Sequence, residues 1–311
     1  MTKTALVIGC GGTIGGAWAI AALDELTRQT GWNPMEASVL QGTSAGAEMV
    51  TMLAGGFAPS DLADMQSGRP TSPVLEEHLA ATPPSLPKLP GLQSITPSTL
   101  WTRSGGHAPL TGIAPRGRGD SRWLQRLADR VDTDGDGWLP HPGARLVAYR
   151  VDDGARIAFG APAAPRTTVG EALRASWAIP GWMPPVRIDG RTYVDGGAAS
   201  TASVDLVGPE DADLVYLITP MASPSGVRAP GLGGRAERAL LRAPMSKVLD
   251  AEIDRVRRRG TRVVHIAPTD LDMAGLGPNF MNRNRRAQAF DAARRTVVET
   301  VGRALDAEAT R

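Results

Sequence analysis

Cysteine is almost missing from this chain, with Cys10 alone among 311 residues. One thiol forms no internal disulfide, which fits a reducing compartment and makes a cytoplasmic protein the expectation. A dominant charge is missing too. Lys+Arg 34 against Asp+Glu 32 leaves a net charge of +2, and most arginines alternate with acids. No nucleic-acid face is expected from that balance. No apolar run approaches the roughly 18 residues of a spanning helix, and no basic-then-apolar leader precedes the first apolar stretch. Peripheral contact with a membrane surface stays open, as does the oligomeric state. Histidine is scarce as well. Of His78, His107, His141 and His265, three fall in proline-rich or turn segments and the last inside a strand-like run. None comes just past the end of a late strand, so a Ser-His-Asp triad is not supported.

What the chain does have is ample apolar material, 42% hydrophobic, arranged as strands alternating with helices. That alternation implies an α/β fold with helices on both faces of a mostly parallel sheet. Residues 4–8 are nearly all apolar, as in a strand covered on both sides. Gly9-Cys10-Gly11-Gly12-Thr13-Ile14-Gly15-Gly16 comes next, then helical spacing over 17–27 (Trp18, Ala21, Ala22, Leu26) and a second strand at 37–40. A strand–helix–strand unit of this kind is a right-handed parallel crossover. It puts the glycine loop and the turn after the second strand on one rim of the sheet, where open α/β sheets carry their sites.

That turn is Gly42-Thr43-Ser44-Ala45-Gly46, leading into a helix over 45–54. A serine on so sharp a strand-to-helix turn is strained, and the flanking glycines let neighbouring chain pass close by. Its hydroxyl projects over the sheet end beside the positive end of a helix, which suits a nucleophile attacking a carbonyl. The five-residue pattern alone is short enough to arise by chance, so the case depends on the residues that accompany it.

Residues 57–119 change character. Prolines are dense, Gly-Arg repeats appear at 116–119, and short helices are expected at 59–65 and 74–80. A long insertion of this kind reads as a lid or substrate-side segment in a single domain spanning 1–311. Residues 86–92 could meet a lipid surface. Residues 132–137 (Asp-Thr-Asp-Gly-Asp-Gly) have the glycine of a calcium loop, but Gly143 stands where the bidentate Glu belongs, so a solvated turn is expected and no metal. Further on, helices are expected at 120–129, 168–177, 234–259 (with Pro244 near the middle) and 283–308. Strands are expected at 144–151, 156–159, 186–188, 191–194, 214–219 and 262–267.

Asp195 ends one of these strands and precedes Gly196 and Gly197, so the backbone can turn and the carboxylate can project from the rim. Taken with the two earlier motifs, this reaches a family. Gly9 to Gly15, Gly42 to Gly46, and the run Arg174-Ala-Ser-Trp-Ala-Ile-Pro-Gly181 through Pro184-Pro185 to Asp195-Gly196-Gly197 resemble the patatin-like phospholipases in order and kind. The resemblance covers roughly the first 60 residues and 168–217. It implies a three-layer α/β/α fold and a Ser–Asp dyad, here Ser44 and Asp195. It also implies an oxyanion hole of backbone amides at Gly11, Gly12 and Thr13. The loop departs from the family pattern at Cys10, where a glycine is usual, and at Ile14, where a basic residue is usual. Cys10 reads as a small packed side chain.

The implied chemistry is hydrolysis of a lipid or fatty-acyl ester through an acyl-serine, with no cofactor. Trp177, Ile179, Trp182 and Met183 could wall an acyl channel. An acyltransferase on the same scaffold and a non-catalytic lipid-binding protein remain alternatives. A dinucleotide-binding oxidoreductase is disfavoured, because Gln41 stands where the acidic residue that holds the ribose would end the second strand.

Overall fold

The computed structural model describes residues 2–81, 83–89, 94–95, 114–132, 135–222, 231, 239 and 242–310. β1 (Thr4–Ile8) leads through α1 (Gly12–Thr30) to β2 (Val39–Thr43), which pairs parallel to it. β3 (Ala144–Arg150) lies parallel to β2 and is followed by antiparallel β4 (Ala155–Phe159). β5 (Val186–Ile188) and β6 (Arg191–Asp195) form a hairpin. β7 (Leu214–Ile218) pairs parallel to the free edge of β1, and β8 (Arg262–Ile266) pairs parallel to β7. The remaining α-helices of five or more residues among the described residues are α2 (Ala45–Ala54), α3 (Pro59–Gln66), α4 (Pro73–Ala80), α5 (Arg122–Val131), α6 (Val169–Ser176), α7 (Ala243–Arg258), α8 (Asp270–Leu276) and α9 (Arg286–Ala309).

β1 shows why both faces of the sheet need covering. Its alternate residues enter different cores, as the two-residue period of a strand requires. Leu6 and Ile8 pack with residues of α1, α2, α5, α6 and α9, whereas Ala5 and Val7 pack with Val215, Leu217 and Leu249, Ile253 and Val256 of α7. The result is an α/β sheet of eight strands between helical layers.

Pairing along β3 decides where the site falls. β4 occupies one edge of β3 from Leu146 to Arg150. β2 pairs with Ala144 to Val147 and β6 with Ala148 to Arg150, so both must share the opposite edge. They lie end to end. Thr43 faces Val147, Asp195 faces Ala148, and the carboxyl ends of β2 and β6 meet one residue apart in register. One residue of strand is about 3.3 Å, so the chain positions 44 and 195, remote in sequence, are brought together by strand geometry alone.

Several elements differ from the sequence expectation. α1 begins at Gly12, not at residue 17, although glycine is a poor helix former. Packing overrides propensity here. A Cβ on Gly15 would sit 3.1 Å from Pro220 and one on Gly16 3.4 Å from Ala45, so only small residues let α1 lie this close to its neighbours. As described, α7 begins at Ala243, which puts Pro244 in its first turn, where a missing N–H costs nothing. Residues 234–238 and 240–241 of the helix expected over 234–259 lie outside the described residues. α8 was not expected; it is short, but Thr269 and Asp272 form its capping box, with Thr269 N donating to Asp272 Oδ2 at 2.7 Å.

The helices expected at 59–65 and 74–80 are α3 and α4, and α4 carries His78, buried, with Nε2 2.6 Å from Glu48 Oε1. His107 lies outside the described residues. His265 is half-buried in β8 beside Thr219 (2.7 Å), and desolvation holds it near pKa 4, neutral at physiological pH. In the turn after α5, Asp132 Oδ2 accepts from Gly137 N at 3.1 Å; Thr133 and Asp134 are outside the described residues. Among the described residues no group of three His, Cys, Asp or Glu could hold a metal, and no helix is long and apolar enough to cross a membrane.

Candidate active site

The turn after β2 is as tight as the glycines suggest. Ser44 has φ 57° and ψ −120°, a region that side-chain-bearing residues avoid. A Cβ on Gly42 would lie 2.3 Å from Gly46 O, and one on Gly46 would lie 2.1 Å from Ile8 O. Both glycines are therefore required by backbone crossing backbone. Ser176, at the end of α6, locks the turn: its Oγ accepts from Ser44 N (2.9 Å) and donates to Val147 O (2.6 Å). Ser176 lies inside the run from Arg174 to Gly181 that carries the family resemblance, yet sequence reasoning gave it no role. A small hydroxyl in a helix gives no signal of binding two distant backbone groups.

Asp195 arrives from the opposite direction on β6, with its N–H donating to Ala178 O at 3.0 Å. Its Oδ1 accepts from Gly197 N at 2.7 Å. Gly196 passes so near Val147 and Thr43 that a Cβ there would approach them to 2.9 and 3.0 Å. The carboxyl is 4% exposed, and burial raises its pKa to about 7. The Ser44 hydroxyl and then the Gly197 N–H act against that rise by hydrogen bonding to the charged form. An aspartate near pKa 7 is suited to take a proton at neutral pH.

The glycine loop supplies donors. Gly9 N is taken by Ile218 O, Cys10 N by Thr201 O, Ile14 N by Phe280 O and Gly15 N by Gly11 O, all at 2.8–2.9 Å. The amides of Gly11, Gly12 and Thr13, at the amino end of α1, donate to no group among the described residues. Gly12 has φ 57°, and a Cβ on Gly11 would come within 2.7 Å of Pro220. Cys10 is buried beside this loop. Desolvation, then the Asp195 carboxylate, pushes its thiol well above the usual range, so it is an inert packed group.

Ser44, Asp195, Cys10, Gly11, Gly12 and Gly197 share one cavity of about 340 Å³. Ile179, Trp182, Met221, Met245 and Phe280 supply much of its apolar wall. Of the four residues expected to wall an acyl channel, Ile179 and Trp182 line this cavity. Trp177 lines a smaller neighbouring space together with Thr13 and Gly12, and Met183 is buried with its sulfur against Gly119. Met221, Met245 and Phe280 were not expected; they come from segments far along the chain that only the fold delivers.

No curated protein matches the sequence. Among solved structures, the chain is similar to VipD from Legionella pneumophila, at 13% identity and TM-score 0.43, covering 99% of this chain and 67% of that one. The model of the patatin-like phospholipases matches residues 6–207, a span that begins in β1 and passes through Ser44 and Asp195. With well over half of its length matched in this way, the chain belongs to the patatin-like phospholipase family.

Proposed function

We propose that the protein is a lipid acyl hydrolase in which Ser44 is the nucleophile and Asp195 its general base. The observation that carries this reading is the meeting of a strained serine and a buried, proton-hungry carboxyl at one apolar cavity, beside the unengaged amides of Gly11 and Gly12. Ser44 Oγ attacks the ester carbonyl as its proton passes to Asp195, and the carbonyl oxygen, now negative, is received by the Gly11 and Gly12 amides. Collapse breaks the bond to the alcohol, which leaves with the proton from Asp195. A water then gives its proton to Asp195 and attacks the acyl-serine; the carboxylic acid departs and Ser44 regains its proton.

The energetics favour a concerted step. Full prior ionisation of a hydroxyl at about pKa 15.7 by a base at about 7 costs about 12 kcal/mol, against about 16 for an ordinary aspartate. Two oxyanion donors at about 2.7–4 kcal/mol each offset about half of the remainder. Thr13 is the weaker candidate donor, since its side of the helix turn lines the neighbouring space.

Residues 57–119 act in this reading as a substrate-side segment. Ala114 lines the cavity, Gly119 N donates to Trp182 O at 2.9 Å, and Gly117 leaves no room for a Cβ against Trp182. Leu86 and Leu89, 71% and 87% exposed, provide apolar contact for a lipid surface. The test is hydrolysis of p-nitrophenyl esters and of phospholipids by wild type, Ser44→Ala and Asp195→Asn. Turnover of carboxylic esters by wild type alone is expected; equal turnover by Ser44→Ala ends the proposal.

A further inference from the structure

Beyond the cavity, one buried acid is tied to both halves of the machinery. Glu252 of α7 is fully buried. Its Oε2 accepts from Ser200 Oγ at 2.9 Å and from Val204 N at 3.2 Å. Its Oε1 accepts from Arg156 Nη1 of β4 at 2.5 Å. Arg156 also grips Asp205, at 2.8 and 3.0 Å, and Arg255 of α7 closes on Asp205 from the other side. Ser200 Oγ in turn accepts from Ala202 N and Ser203 N, at 3.3 and 2.8 Å.

The segment held in this way, residues 196–205, is the one that leaves Asp195. Ser200 N donates to Gly196 O at 3.0 Å, closing a single turn that begins immediately after the base. The N–H of Gly197 in that turn is the donor on Asp195 Oδ1. The next residue after Ser200 reaches the glycine loop: Thr201 O accepts from Cys10 N at 2.8 Å, and a Cβ on Gly9 would lie 3.0 Å from the same oxygen. Ser203 is held at φ 51°, a conformation that persists only when its surroundings impose it. Gln41 Nε2, donating to Ala202 O and Ser203 O at 3.2 and 2.9 Å, ties the same turn to β2.

We infer that Glu252 is a positioning residue for the reaction, anchoring through Ser200 the turn that aims Asp195 and seats the glycine loop. The inference rests on the Ser44–Asp195 reading. Three donors, two neutral and one cationic, converge on this side chain, and an apolar residue offers them no acceptor. The price of burying it is met by Arg156. Acting through backbone placement, Glu252 affects the chemical step and not the apolar wall, since a displacement of about 1 Å at a reacting group costs on the order of 10²-fold.

The test uses the full chain and a soluble p-nitrophenyl ester, with Glu252→Gln, Glu252→Ala and Ser200→Ala compared with wild type across pH. Glu252→Ala is expected to lower kcat on the order of 10²-fold with KM within about twofold. Ser200→Ala, which removes a single hydroxyl, is expected to lower kcat about tenfold. Glu252→Gln, which keeps an acceptor for Ser200, should recover most of the loss. The acid limb of the pH profile reports Asp195, which faces Ser44, Gly197 N and Cys10. It should move to higher pH in Ser200→Ala and Glu252→Ala as the Gly197 donor loosens.

Should Glu252→Ala fail to fold, Ser200→Ala alone decides. A folded Ser200→Ala with wild-type kcat and an unmoved acid limb overturns the inference. Loss that appears in KM alone does the same. Retained activity in Asp195→Asn would instead overturn the reading beneath it, so the two failures are distinguishable.

Discussion

Replacing Asp195, the proposed base, should make the protein inactive and more stable at once. Burial raises Asp195 from 3.8 to about 7, so the folded state holds a proton that the unfolded state has released between those two values. Stability contributed by this group therefore falls as pH rises through that window, and above about pH 7 the fold carries the whole cost of a desolvated charge. About three pKa units at 1.36 kcal/mol each give about 4 kcal/mol. Asp195→Asn keeps the shape and an acceptor for Gly197 N but never ionises. Urea unfolding at pH 8.5 should then show the variant more stable by up to about 4 kcal/mol, narrowing to about 1 kcal/mol at pH 4.5. Glu252, which burial also holds above the ordinary carboxylate range, contributes to both proteins and cancels in the difference. A gap that does not change with pH, or an Asn variant less stable than wild type at pH 8.5, would refute the reasoning.

Other outcomes come from the same geometry. Wild-type kcat/KM on a neutral ester should rise with pH through a midpoint near 7, because Asp195 takes a proton only when ionised; a midpoint near 4 contradicts a buried base. Ser44→Gly should be more stable than Ser44→Ala by about 1 kcal/mol in urea titrations, since glycine releases backbone strain of about 1–3 kcal/mol and gives back about 0.5–1 in entropy. Gly46→Ala places a methyl 2.1 Å from Ile8 O and should lower stability by about 3 kcal/mol or more in the same assay. Trp182→Ala, opening the apolar wall, should shift the preferred acyl chain in an ester series toward longer members, with little change for acetate.

Much of this was legible in the sequence because local chemistry carried it. The alternation of apolar strands with helices gave the α/β sheet, and a strand–helix–strand unit necessarily put the glycine loop and Ser44 on one rim. Asp195 was visible through the two glycines after it and through the longer run of matching residues before it. That it meets Ser44 head-on is another matter, since it depends on β4 filling one edge of β3 and forcing β2 and β6 to share the other. Pairing edges leave no mark on composition or period. The early start of α1 was hidden because helix propensity argues against glycine, while the close contact with Pro220 that favours glycine at position 15 is tertiary. Ser176 and Glu252 were invisible for a similar reason. Each binds groups that are neighbours only after folding, and a serine or a glutamate in a helix looks like any other until then.

The most direct measurement is intact-protein and peptide mass spectrometry after exposure to a fluorophosphonate, which traps a serine only where a base and an oxyanion site act on it together. The account predicts a single adduct, on Ser44, formed much more slowly in Asp195→Asn and absent from Ser44→Ala. An adduct on another residue, or labelling of Ser44 at an unchanged rate when Asp195 is Asn, would contradict it.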